Sequence, residues 1–203
     1  MTLASKITLV RVFLAPVFFA IYIIPRDCFV WSVIHPAWGV AFLWLIFIVS
    51  EITDWLDGMV ARKFNQTSDF GKLFDPFADT LVQVAFFLCF VIDGILPAAL
   101  FFVVIYREFG ILFVRNLMLK KGIAMGARIG GKIKTVVYIT TCATALAYSS
   151  LIRLDVLAFL HPFFRVASIV VFAVSVALSV VSFLDYISVY RRAVKVEPAS
   201  KPD

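Results

Sequence analysis

The sequence predicts an all-α integral membrane protein of six transmembrane helices, and three observations predict it. Hydrophobic residues fill 63% of the 203 positions and charged residues only 16%, against about 45–50% and about 25% in soluble domains. Mean hydropathy is +1.00, which leaves little room for a solvated domain. The apolar residues gather into six runs close to the roughly 20 residues that a spanning helix needs. Residues 1–203 read as one membrane-embedded domain, opening on a short interfacial helix over 1–8 and ending in a basic tail from about 191.

The first span is expected from Leu9 to Ile24, where Pro25 and Arg26 stop it. Its basic flank, Lys6 and Arg11, also suits a secretory leader, but no soluble mature domain follows, so it reads as a retained span. The second span runs from Ala37 to Gly58, and the third from Gly71 to Ile92, closed by Asp93-Gly94. Pro97 opens the fourth, which continues to Leu119. The fifth covers Ile133 to Leu151 and the sixth Phe163 to Tyr190. Cys28, Cys89 and Cys142 are far apart and show no metal-ligand or C-x-x-C spacing, so they read as small packing residues.

Basic residues set the orientation. Six spans put only Arg26, Arg153 and Arg165 on one side, and the other sixteen of nineteen on the opposite side. By the positive-inside rule that side is cytoplasmic, with both termini inside, as in a multi-pass protein of the inner membrane. The tail cations Arg191, Arg192 and Lys195 need no role beyond topology and attraction to anionic headgroups. Cations along a membrane face, rather than on a soluble patch, exclude nucleic acid as a partner.

The acidic residues carry the chemistry. Six of thirteen lie between Glu51 and Asp79, around the join of spans two and three. Carboxylates at a bilayer edge are costly and mark function by default. Asp54 and Asp57 are three apart, Asp75 and Asp79 four apart, so each pair shares a helix face. A short connection makes the two helices antiparallel neighbours, and the pairs converge. Such a cluster needs cations to stay ionised. Arg62, Lys63 and Lys72 would serve as ion pairs; two divalent ions would neutralise four carboxylates completely. Oxygen-only ligation suits Mg²⁺ or Mn²⁺, and paired metals are a recurring device for displacement at phosphorus.

The residues from Asp54 to Asp79 spell D-x₂-D-G-x₂-A-R-x₈-G-x₃-D-x₃-D. This string resembles the signature of the CDP-alcohol phosphotransferases, integral membrane enzymes of six transmembrane helices that are commonly homodimeric. The resemblance implies that fold, two divalent cations on Asp54, Asp57, Asp75 and Asp79, and attack by an alcohol oxygen on the β-phosphorus of a CDP moiety, with CMP leaving. By the same analogy Asp79, the last of the motif, accepts the hydroxyl proton. The CDP group would lie along Asp57, Gly58, Ala61, Arg62 and Gly71: the glycines allow close backbone approach, and Arg62 offers a fork for a phosphate oxygen. Thr67 and Ser68 read either as donors to the nucleotide or as caps of the third span. Asp69 reads as a loop or capping residue, and Glu51 as supporting rather than ligating.

Further segments are similar to the bacterial phosphatidylglycerophosphate synthases, which join CDP-diacylglycerol to sn-glycerol 3-phosphate. They are I-T-L-V-R-V-F-L-A-P from Ile7 to Pro16, R-E-F from Arg107 to Phe109, and G-K-I-K-T from Gly131 to Thr135. The chain departs from that branch at Thr80, where Lys is usual, and at Ala4-Ser5, where Pro-Asn is usual. The cations Arg107, Arg115, Arg128, Lys132 and Lys134, toward the cytoplasmic ends of spans four and five, suit an anionic acceptor such as glycerol 3-phosphate. Snorkelling to headgroups is their plainer reading. Within the family, serine, an inositol phosphate, or CDP-choline or CDP-ethanolamine with diacylglycerol would use the same metal site. A cation transporter is the rival outside it, but no second half repeats the Asp54–Asp79 pattern.

Overall fold

Apolar runs in a bilayer find no water for their backbone groups, so each run must satisfy its own, and helices result. The computed structural model describes residues 3–24, 35–64, 69–120 and 129–196, with side chains over 8–24, 35–54, 56, 74–118 and 133–192. Among the described residues the elements are α1 (Leu3–Ile23), α2 (Pro36–Phe64), α3 (Asp69–Ile92), α4 (Ala98–Lys120), α5 (Ile129–Leu154) and α6 (His161–Val196), with a 3₁₀ turn at Ala158–Leu160. No strand occurs among them. Among the described residues four segments are long and apolar enough to cross a membrane: Pro36–Asp54, Phe74–Ile92, Ile133–Leu154 and Ala158–Arg192. Thr8–Ile23 is a shorter apolar helix. In α4 the apolar run is broken by Arg107, Glu108 and Arg115.

Several boundaries differ from expectation. The separate interfacial helix over 1–8 is a correction: from Leu3 the chain runs without a break into α1. The cause lies in Thr8 and Arg11, which bond to carboxylates of α2 and α3 and so draw this segment into the bundle. Pro16 sits inside α1 with its ring on the exposed face. Helix α2 continues past Gly58 to Phe64, and α5 begins at Ile129 and ends at Leu154, longer at both ends than the apolar run.

The turns are built by local chemistry. Gly94 takes φ +68°, its N–H bonding Val91 O at 3.0 Å while Ile95 N–H bonds Phe90 O at 2.9 Å. That pair of bonds is a Schellman closure of α3, and glycine meets its left-handed position without a Cβ clash. Helix α5 ends the same way: Asp155 N–H reaches Ile152 O and Val156 N–H reaches Leu151 O. Here Asp155, at φ 50°, holds the position that glycine usually fills.

Aromatic rings make α3 the centre of the bundle. Phe86 meets Phe18 of α1 at 4.5 Å and Phe47 of α2 at 5.8 Å between centroids. Phe87 meets Tyr138 of α5 at 5.2 Å and Phe172 of α6 at 5.1 Å. Small residues let α5 and α6 approach closely, as membrane helices do: Thr141, Ala145 and Ser149 on one, Ser168, Ser175 and Ser179 on the other, all fully buried. Large apolar residues such as Phe113, Phe163 and Val166 face outward, the arrangement a lipid solvent favours.

One end of the bundle is locked by polar bonds. Tyr22 Oη donates to Asp93 Oδ2 (2.8 Å) or to Ser149 Oγ (3.0 Å), while Arg153 reaches the Tyr22 carbonyl at 2.8 Å, Ser149 Oγ at 3.1 Å and Asp93 at 3.5 Å. This ties α1, α3 and α5 together. The acidic motif lies at the other end.

Candidate active site

Three helices meet where the carboxylates gather. Helix α2 brings Asp54 near its C-terminal end, α3 brings Asp75 and Asp79 in its first turns, and α1 inserts Thr8 and Arg11 between them. Residues 8 and 11 are three apart and so face one way. The Arg11 guanidinium pairs with Asp54 through Nη1 and with Asp79 through Nη2. Thr8 Oγ1 donates to Asp75 Oδ1 at 3.0 Å. Glu51, one turn before Asp54, lies within electrostatic reach of Asp54, Arg11 and Asp79.

Exposure differs sharply across this cluster. The Arg11 side chain is 5% exposed, whereas Asp54 is 38% and Asp79 52% exposed. The carboxylates therefore open toward the end of the bundle, where a water-soluble reactant can reach them, and the cation lies behind. Carboxylates from α2 and α3 converge on one cationic centre, as the spacing predicts. Among the described residues no three acidic side chains close on a single metal position; Asp57 is on α2 with its side chain outside the described residues. The described donors, the carboxylates of Asp54, Asp75 and Asp79, are nevertheless all hard oxygens. That chemistry fits divalent cations.

For the CDP-binding candidates, Gly58, Ala61 and Arg62 lie on α2 and Gly71 on α3, their side chains outside the described residues. Thr67 and Ser68 lie outside them altogether, as does Arg128. Lys132 is on α5 with its side chain likewise outside, and Arg115 is half-buried on α4.

Arg107 and Lys134 come together, joined by Glu108. Arg107 Nη1 bonds Glu108 Oε1 at 2.8 Å, and its Nε donates to the Ser179 carbonyl of α6 at 3.0 Å. Lys134 Nζ bonds both Glu108 oxygens, at 3.1 and 3.3 Å, and lies 4.8 Å from the centroid of the Tyr138 ring. Sequence reasoning missed three members of these clusters. Arg11 counts in the sequence only as a topology signal, although an arginine within an apolar helix marks a site by default. Thr8, one turn earlier, shares its face. Glu108 stands inside the R-E-F segment, whose arginine alone received a role.

A family model described as CDP-alcohol phosphatidyltransferase matches residues 1–181. The chain belongs to that family. Among its curated relatives, a protein of Treponema pallidum (strain Nichols) is 36% identical over 197 residues, covering 94% of this chain and 89% of its own. One of Bacillus subtilis (strain 168) is 36% identical over 149 residues, covering 72% and 77%. One of Escherichia coli (strain K12) is 31% identical over 195 residues, covering 92% and 93%. All three are named CDP-diacylglycerol–glycerol-3-phosphate 3-phosphatidyltransferase. Family membership makes the chain a membrane-embedded transferase, and the matched region takes in every described residue of the aspartate cluster.

Proposed function

We propose that the chain makes phosphatidylglycerophosphate, transferring the phosphatidyl group of CDP-diacylglycerol to sn-glycerol 3-phosphate with release of CMP. The observation that carries this reading is the convergence of Asp54 and Asp79 from two helices on Arg11, with Asp75 on the neighbouring Thr8, at the end of the bundle where α5 begins with Lys134 near its start. The names of the relatives favour the same donor and acceptor.

In this reading the acceptor hydroxyl oxygen attacks the β-phosphorus of the CDP moiety. The new P–O bond forms as the bond to the α-phosphate oxygen breaks, and CMP leaves with that electron pair. Asp79, half-exposed at the mouth, receives the hydroxyl proton. Asp54, Asp57, Asp75 and Asp79 would hold two divalent cations, Mg²⁺ or Mn²⁺, which supply charge neutralisation at the pyrophosphate when bound. Arg62 and the glycines at 58 and 71 serve the nucleotide. Lys134, with Arg115, Arg128 and Lys132, supplies positive charge for the acceptor phosphate, and Arg107 lies behind it. The active end faces the cytoplasm of the inner membrane, since most basic residues lie there, and the working unit is a homodimer, as in the family.

The test is purified protein given CDP-diacylglycerol with each acceptor separately, followed by identification of the lipid. Phosphatidylglycerophosphate from glycerol 3-phosphate is expected. Product from serine or another neutral acceptor alone would overturn the acceptor, and activity only with CDP-choline or CDP-ethanolamine would overturn the donor.

A further inference from the structure

The ion cluster between α4 and α5 is unbalanced. Arg107, Glu108 and Lys134 supply two positive charges and one negative, with side chains only 4%, 3% and 19% exposed. Buried charges persist where partners compensate them, so the described members of this cluster favour the approach of a further anion. Its geometry says from which side. Arg107 is turned away toward α6, spending Nε on the Ser179 carbonyl and Nη1 on Glu108. Glu108 is occupied on both oxygens. Lys134 is the most exposed of the three, and it stands near the start of α5, whose far end carries Arg153 into the Tyr22–Asp93 lock, so it belongs to the aspartate end of the bundle. The excess charge is therefore presented at the aspartate end of the bundle through Lys134.

A lysine at a bilayer edge has a flexible stem and, left alone, reaches out to the headgroups. Two bonds to one carboxylate, with the ammonium itself held over the Tyr138 ring, prevent that here. We propose that Glu108 is the positioning residue of the acceptor subsite: it holds the Lys134 ammonium at the mouth of the aspartate site to meet the phosphate of the acceptor, while Arg107 braces Glu108 from α6 and makes no acceptor contact. A phosphate dianion balances the positive excess of the three described side chains. The inference rests on the reading of glycerol 3-phosphate as acceptor.

Steady-state kinetics on the purified full-length enzyme test it, with Glu108→Gln, Glu108→Asp, Lys134→Met and the Glu108→Gln/Lys134→Met double variant. Glu108→Gln keeps the shape and removes the charge. The KM for glycerol 3-phosphate should rise about tenfold or more, the loss expected from one misplaced charged hydrogen bond, with kcat and the KM for CDP-diacylglycerol within about twofold. Glu108→Asp should recover part of the loss. The double variant should be no worse than Lys134→Met alone, because Glu108 acts through Lys134. Additive losses, equal effects on both substrates, or an unchanged KM in Glu108→Gln would overturn the proposal. Should Glu108→Gln not fold, judged by a monodisperse peak in detergent, Glu108→Asp and Lys134→Met decide: an unchanged acceptor KM in either overturns it. A wild-type enzyme that ignores glycerol 3-phosphate sinks the function reading and this subsite with it, whereas an active wild type with a normal Glu108→Gln sinks the subsite alone.

Discussion

Replacing Arg11 with Met removes the cation that α1 extends to both halves of the acidic motif, while keeping a long apolar stem in the core. The guanidinium is 5% exposed but its partners Asp54 and Asp79 are 38% and 52% exposed. Breaking a fully buried pair costs about 3–5 kcal/mol, and exposed pairs are worth about 0–1 kcal/mol each. With the cation buried and both carboxylates able to rehydrate, a loss of about 2 kcal/mol lies between these limits. For a chain of this length that corresponds to roughly 4–8 °C in thermal midpoint, read in detergent with a chelator present. The same substitution removes a competitor for the carboxylates. Glu51, Asp54, Asp75 and Asp79 then repel one another, and a divalent cation relieves more strain in the variant than in the wild type. Added Mn²⁺ should therefore raise the midpoint of Arg11→Met by more than it raises the wild type, with tighter binding by calorimetry. A midpoint unchanged in chelator, or equal Mn²⁺ shifts in the two proteins, would refute the view of Arg11 as the counter-ion of the metal-free site.

Two further substitutions test the frame at the other end. Tyr22→Phe removes the hydroxyl shared with Asp93 and Ser149 and should cost about 1–2 kcal/mol, while kcat stays unchanged because the bond lies at the opposite end from the aspartates; thermal melts beside turnover check both. Asp155→Gly relaxes the left-handed closure of α5 at φ 50° and should raise stability by up to about 1 kcal/mol, measured as a higher melting midpoint. A lower midpoint would mean that the Asp155 side chain has a role of its own.

Much of the fold was legible because bilayer helices follow composition. The Asp93-Gly94 stop is seen as a Schellman closure, and Pro97 immediately precedes α4. The limits of α1 and α2 were not, since hydropathy registers where lipid begins rather than where helix ends. Residues 3–8 run helically into Thr8 and Arg11, which bond carboxylates 67, 43 and 68 residues away, contacts that no local pattern encodes. In the site, the spacing of Asp54, Asp75 and Asp79 was readable as faces of helices. Glu108 was not, because one acid beside one arginine looks like a local pair until α5 brings Lys134 against it. The serines of α6 passed as generic apolar sequence, yet Ser175 meets Thr141 of α5 and the Ser179 carbonyl receives Arg107.

CMP release by purified Asp79→Asn enzyme decides whether the aspartates of α2 and α3 form the phosphotransfer centre. The wild type should release CMP from CDP-diacylglycerol only with glycerol 3-phosphate and a divalent cation present, without any need for sealed vesicles. Asp79→Asn should lower that rate by about 10²–10⁴-fold while remaining folded in detergent. CMP release at the wild-type rate by folded Asp79→Asn would place the chemistry elsewhere.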